Sequence, residues 1–118
     1  MMKPKISIID YSFSKNKQSP TSRCDIRIEA EIEVNDATII EQGILSGRSG
    51  SNSEISLNSY YSKVQCEIIN NRIVGVIDGS KHISYGSYNP IRAYIICDDG
   101  TIFYSEQIIA YIPEYSDL

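Results

Sequence analysis

Two stretches near the C-terminus, Tyr88 to Cys97 and Ile102 to Ile112, set the strongest limit on the fold. The first places Ile91, Ala93, Ile95 and Cys97 at every second position, the period that sends side chains to one face of a pleated sheet. A helix would need them three and four apart. Asp98-Asp99-Gly100-Thr101 joins the two stretches and supplies a glycine where the chain must take a positive φ, so the pair reads as a β-hairpin. A β protein is expected, and nothing in this region spells a reaction.

The same period recurs upstream. Cys24, Ile26, Ile28, Ala30, Ile32 and Val34 alternate with Asp25, Arg27, Glu29, Glu31 and Glu33, which predicts one face in the core and one in water. The glutamates two apart sit about 7 Å from one another on a strand. They read as a solvated face that guards an edge, not as a metal or acid/base cluster. Further strands are predicted over Lys5 to Phe13, Ala37 to Leu45, Lys63 to Ile69 and Arg72 to Ile77, with Ile55 and Leu57 in a short edge strand. Asn70-Asn71 is placed as the tight turn of a hairpin because asparagine tolerates the left-handed conformation. The Ser/Gly-rich stretch 46–59 is expected to be a long mobile loop, since such a composition offers little apolar surface to order it. About seven short strands without a helical period predict a two-sheet sandwich, one domain over residues 1–118, with 113–118 as a tail behind Pro113.

Composition narrows the partners. Net charge is −4, the wrong sign for a nucleic-acid backbone binder. The N-terminal Ile6-Ser7-Ile8-Ile9-Asp10 is too short and polar for a signal-peptide core, and no stretch suits a membrane span. Synthesis in the cytosol without a signal peptide is therefore expected. Cys24, Cys66 and Cys97 are an odd set without CxxC spacing, which speaks against a zinc site or a disulfide framework. Cys24 opens its strand and Cys97 closes its own, so in a sandwich they belong at opposite ends, out of reach of a bridge. Buried free thiols are expected.

The segment Ala37-Thr38-Ile39-Ile40-Glu41-Gln42-Gly43-Ile44-Leu45-Ser46, followed by Ile91-Arg92-Ala93-Tyr94-Ile95 and Asp99-Gly100-Thr101-Ile102-Phe103-Tyr104-Ser105, resembles bacterial fibronectin type III-like domains. These often carry Glu-x-Gly on the third strand, and Val-Arg-Ala-Tyr, a Gly-Thr turn and Tyr-Ser in the last hairpin. The resemblance implies an all-β, immunoglobulin or fibronectin type III-like sandwich of about seven antiparallel strands. It implies a spacer or binding module with no catalytic residues to carry over. One departure stands out: the family's corner tyrosine falls at Asn89, with Tyr88 just before it, so the corner is either shifted or replaced.

Candidate reactive groups are sparse. His82, the one histidine, lies in a polar connection with no Asp or Cys in local register to activate it, and reads as an exposed loop residue. Asp98-Asp99-Gly100-Thr101 lacks the alternating oxygen ligands of a calcium loop. Gly47-Arg48-Ser49-Gly50-Ser51 lacks the lysine-serine ending and the helix that cradle a phosphate. No catalytic group, metal or cofactor is implied. The nine tyrosines are the feature with functional potential, because exposed tyrosines offer contact area at small entropic cost. Tyr60, Tyr61, Tyr94, Phe103, Tyr111 and Tyr115 form the candidate interaction surface, for protein or sugar.

These readings lead to a non-catalytic structural or interaction protein of a multi-subunit assembly. A bacteriophage virion component in the head decoration or the tail is the first expectation. An adhesive or carbohydrate-associated module of a bacterial surface protein is the alternative.

Overall fold

Alternation of isoleucine with polar residues produces eight strands. They are β1 (Lys5–Lys15), β2 (Cys24–Glu33), β3 (Ile39–Ser46), β4 (Ser62–Gln65), β5 (Arg72–Ile77), β6 (Tyr88–Cys97), β7 (Ile102–Tyr104) and β8 (Ile108–Tyr111). The computed structural model describes residues 2–118; Met1, the first residue of the expected domain, lies outside them. Two antiparallel sheets result. One has the order β1-β2-β5; the other has β4-β3-β6, with β7 and β8 both paired to β6. The chain is all-β, with one short 3₁₀ turn at Tyr115–Asp117.

The inner faces meet in an isoleucine-rich, sandwich-like core. Cys24, Ile26, Ile28, Ala30 and Ile32 of β2 pack with Ile73 and Ile77 of β5, and oppose Ile44 of β3 and Ile91, Ala93 and Ile95 of β6. In β1 the inward phase changes: Ile6 and Ile8 pair with Ile32 and Ala30, whereas Tyr11 and Phe13 pair with Ile28 and Ile26, because Ile9 is inserted between the two registers. Such a bulge lets an even-numbered and an odd-numbered apolar row share one face.

Three expectations are corrected. The strand expected over Ile102 to Ile112 is two strands. At the break, Ser105 is buried; its Oγ accepts the Ala93 N–H at 2.9 Å and donates to the Glu106 carbonyl at 2.8 Å. A side chain thus takes the place of a ladder partner.

The hairpin around Asn70-Asn71 is confined to its tip. Both asparagines have positive φ, 53° and 62°, and Ile69 and Arg72 exchange both backbone bonds. Beyond the tip the partners separate: β4, which ends at Gln65, pairs with β3 in one sheet, and β5 pairs with β2 in the other.

Ile55 and Leu57 form no strand; only a bridge between Ser56 and Ser59 is present there. Their apolar side chains are used for packing, as described below. By contrast, the Asp98–Thr101 turn takes the expected form, with Gly100 at φ 87°, which a glycine adopts at no steric cost.

Candidate interaction surface

The outer face of the larger sheet is built around Tyr94. Register places Tyr94 opposite Gly43, with Glu41 opposite Ile96. A Cβ at Gly43 would lie 2.2 Å from the Val64 carbonyl oxygen and 2.9 Å from Tyr94 Oη, so the ring crosses β3 where there is no side chain. Its hydroxyl donates to Glu41 Oε2 at 2.6 Å, and Lys63 Nζ sits 3.3 Å from the same oxygen. The Tyr94 hydrogen bond, helped by Lys63, holds the Glu41 carboxyl below its ordinary range. Burial first, and then its hydrogen bond to the Glu41 carboxylate and that group's charge, push the Tyr94 phenol well above its own.

Residues 47–61 form a strap across this face. Ile55 is buried, and with Leu45 and Tyr94 it makes a second apolar cluster, against which Leu57 packs. Polar contacts fasten the strap. The Ile55 N–H donates to Gln107 Oε1 at 2.8 Å and the Leu57 N–H to Tyr104 Oη at 2.9 Å. Arg92 Nη1 donates to the Ile55 carbonyl at 2.9 Å, and the Arg92 guanidinium lies 4.5 Å from the Tyr104 ring centroid. The loop expected to stand free over 46–59 is therefore tied down: two apolar side chains anchor a segment whose remaining residues carry almost none.

At the strap's start, the Ser49 hydroxyl shares its one proton between two acceptors within reach, the His82 carbonyl and Asn89 Oδ1. The buried Asn89 side chain also donates to Ser87 Oγ and to the Ala110 carbonyl. Asn89 thus ties the start of β6 to β8 and to the strap, at the position where the resemblance calls for a tyrosine.

The strap, the β1–β2 and β5–β6 connections and residues 113–118 gather at one pole. Tyr88 and Tyr111 are cross-strand partners with ring centroids 4.8 Å apart. Tyr85 and Tyr115 meet edge to face at 4.9 Å, with Lys15 Nζ 5.7 Å from the Tyr115 ring centroid. Tyr61 lies 4.3 Å from the His82 ring, and the Arg48 guanidinium is 5.2 Å from Tyr61. The C-terminal residues pack against their own domain, with the Gly86 N–H donating to the Pro113 carbonyl at 2.9 Å. His82 is half-buried, not an exposed loop residue. Its Nε2 is buried and has no hydrogen-bond partner among the described residues. Burial lowers its pKa, against the pull of Asp78.

Of the six expected surface residues, Tyr60, Tyr61, Tyr111 and Tyr115 are exposed. Tyr94 is not: it is 0% exposed beneath the strap. Phe103 is partly buried and packs against the main core. Tyr94 does face away from Ile91 and Ile95, but covalently distant residues roof it over. Tyr88, 58% exposed, and Ile109 join the surface instead. The alternation of β6 and β8 carries both outward, a signal that was present in the sequence. Cys24, Cys66 and Cys97 are free, and burial raises the pKa of each thiol. No known protein family, characterised protein or solved structure matches the chain.

Proposed function

We propose that this chain is a non-catalytic interaction module of fibronectin type III-like architecture, and that the tyrosine-bearing pole binds other proteins of an assembly, copies of itself included. The observation that carries the proposal is the concentration of exposed aromatic rings there, at Tyr61, Tyr88, Tyr111 and Tyr115. Stiff amphipathic rings of this kind supply binding area with few rotors to freeze.

Strand order supports the architecture. In the constant-type immunoglobulin arrangement the fourth strand joins the sheet of the first, second and fifth; here β4 lies beside β3. The residues that carry the resemblance also touch one another. Tyr94 crosses Gly43 and donates to Glu41, and Arg92 lies by the Tyr104 ring and donates from Nε to the Ser105 carbonyl at 2.8 Å. A virion component, in a phage head decoration or tail, is the assembly we favour. Three unpaired cysteines suit folding and assembly in a reducing compartment better than export. The adhesive surface module is the second reading, favoured by the residues of the resemblance.

The test is solution mass by light scattering from about 1 μM to 1 mM, on the wild type and on Tyr88→Ala/Tyr111→Ala, with recovery of each from particle fractions. A closed oligomer, or particle binding, that the double variant loses is the expected result. A strict monomer whose double variant is recovered as well as the wild type overturns the proposal.

A further inference from the structure

Within the strap, between its first half and the residues that lead into β4, runs a cleft of about 310 Å³, at the small end of the range for ligand sites. Its lining residues include Tyr60 and Tyr61, Ser51 and Ser53, and Arg48 and Glu54. Among the lining residues Arg48 is the one cation and Glu54, which also faces Arg92 Nη1 at 3.3 Å, the one anion, so the wall itself presents no cluster of one charge to a phosphate or a carboxylate. Hydroxyls and charged heads spread along the wall offer no match to a lipid tail. What remains is donors and acceptors interspersed with aromatic faces.

We propose that this cleft binds a neutral oligosaccharide. A pyranose presents an apolar C–H face, which packs on a tyrosine ring. Its rim of paired hydroxyls suits a planar guanidinium or a carboxylate that engages two groups at once. The site is preformed in part. Arg48 rests on Tyr61 and Tyr61 on His82, and the strap is held at Ser53 by Gln107 Nε2, which donates to its carbonyl at 3.0 Å. Glu54 keeps one oxygen 3.3 Å from Arg92 Nη1, and its side chain is 82% exposed, which leaves it open to a ligand hydroxyl. This site goes beyond the protein contact proposed above and does not depend on it, although Tyr61 contributes to both surfaces.

The experiment is a backbone amide NMR titration of the full chain with cellotetraose and with tri-N-acetylchitotriose, each to about 10 mM, with light scattering on the same samples. The expected result is saturable shifts confined to the amides of 48–61 with at least one sugar. Affinity falls about tenfold in Tyr60→Ala and in Glu54→Gln, while the rest of each spectrum stays wild type. No saturable shift with either sugar, shifts elsewhere on the molecule, or unchanged affinity in both variants overturns the inference. Sugar binding by a strict monomer upholds the cleft and counts against the self-association reading, so the two can fail separately.

Discussion

Tyr94 reaches over Gly43 to give its phenolic proton to Glu41, 2.6 Å away on the neighbouring strand. Hydrogen bonds to a charged group in partly desolvated surroundings contribute about 1.5–3 kcal/mol. Tyr94→Phe keeps the ring under Ile55 and removes only the hydroxyl. It is expected to cost about 2 kcal/mol in urea denaturation, and a change below about 0.5 kcal/mol refutes the assigned contribution.

The same pair sets a pH dependence with two edges. Glu41 has a depressed folded pKa, so its contribution is present above the unfolded value of about 4.3 and is lost as pH falls through the folded value. Tyr94 has a raised folded pKa, so its contribution is complete below about pH 10 and declines as pH rises beyond it. The stability gap between wild type and Tyr94→Phe should be widest near neutrality. It should narrow at about pH 3 and about pH 10.5; a gap independent of pH contradicts the linkage.

Ile28 sits at 0% exposure in the central strand β2, beside Glu29, which is half-buried on the opposite face. Ile28→Asp places an unpaired carboxylate in the core and should cost more than about 4 kcal/mol, leaving little soluble folded protein. Glu29→Ala gives up only a 3.6 Å ion pair with the exposed Arg72 and should change stability by less than about 0.5 kcal/mol. Equal melting temperatures for the two variants would overturn the strand register.

Asn89→Ala leaves the Ala110 carbonyl and the hydroxyls of Ser49 and Ser87 without their shared partner. A loss of about 2–3 kcal/mol is expected. Hydrogen exchange should speed up first at Gly50, whose N–H donates to the Tyr88 carbonyl beside it. Uniform acceleration over the whole core would show that Asn89 does not fasten the strap locally.

His82 links the pole to acid. Its ring lies against Tyr61, which Arg48 also approaches, and Asp78 and Arg23 are close enough to influence its charge. Its folded pKa is depressed by burial, so the stability it confers is present above the unfolded value of about 6.5 and is lost as pH falls through the folded value. Protection factors of the strap amides, which correct for the slower intrinsic exchange in acid, should fall between about pH 7 and pH 5 in wild type and not in His82→Phe. Identical pH profiles would remove His82 as the cause.

Much of the sandwich was legible because period two is written plainly in β2, where each apolar residue is buried and the polar residues between are half-buried or exposed, and in the row Ile91, Ala93, Ile95 and Cys97 of β6, which is buried throughout. Elements that use side chains in place of ladder partners were not legible. Ser105 splits the last strand with its hydroxyl, and no periodicity announces that. Tyr94 shows the limit of reading faces: alternation gave its direction correctly, but the roof over it comes from Ile55, almost forty positions away, in a segment judged too polar to order. Tyr88 and Ile109 were readable as outward-facing, and their pairing with Tyr111 and Pro90 follows from the β6–β8 register.

The molecule measures 50 × 28 × 20 Å. Met2 is held at one end, its backbone N–H donating to Asp36 at 2.8 Å, and Tyr115 is held at the other, against Tyr85 and Lys15. Tension applied between these two points would run along the strands and not across them. The β1–β2 ladder would then be loaded in shear, with its bonds from Lys5 to Lys15 strained together instead of opening one after another. A unit pulled in this direction resists as a block, so linked end to end it would transmit force while keeping its strap and its aromatic pole in place.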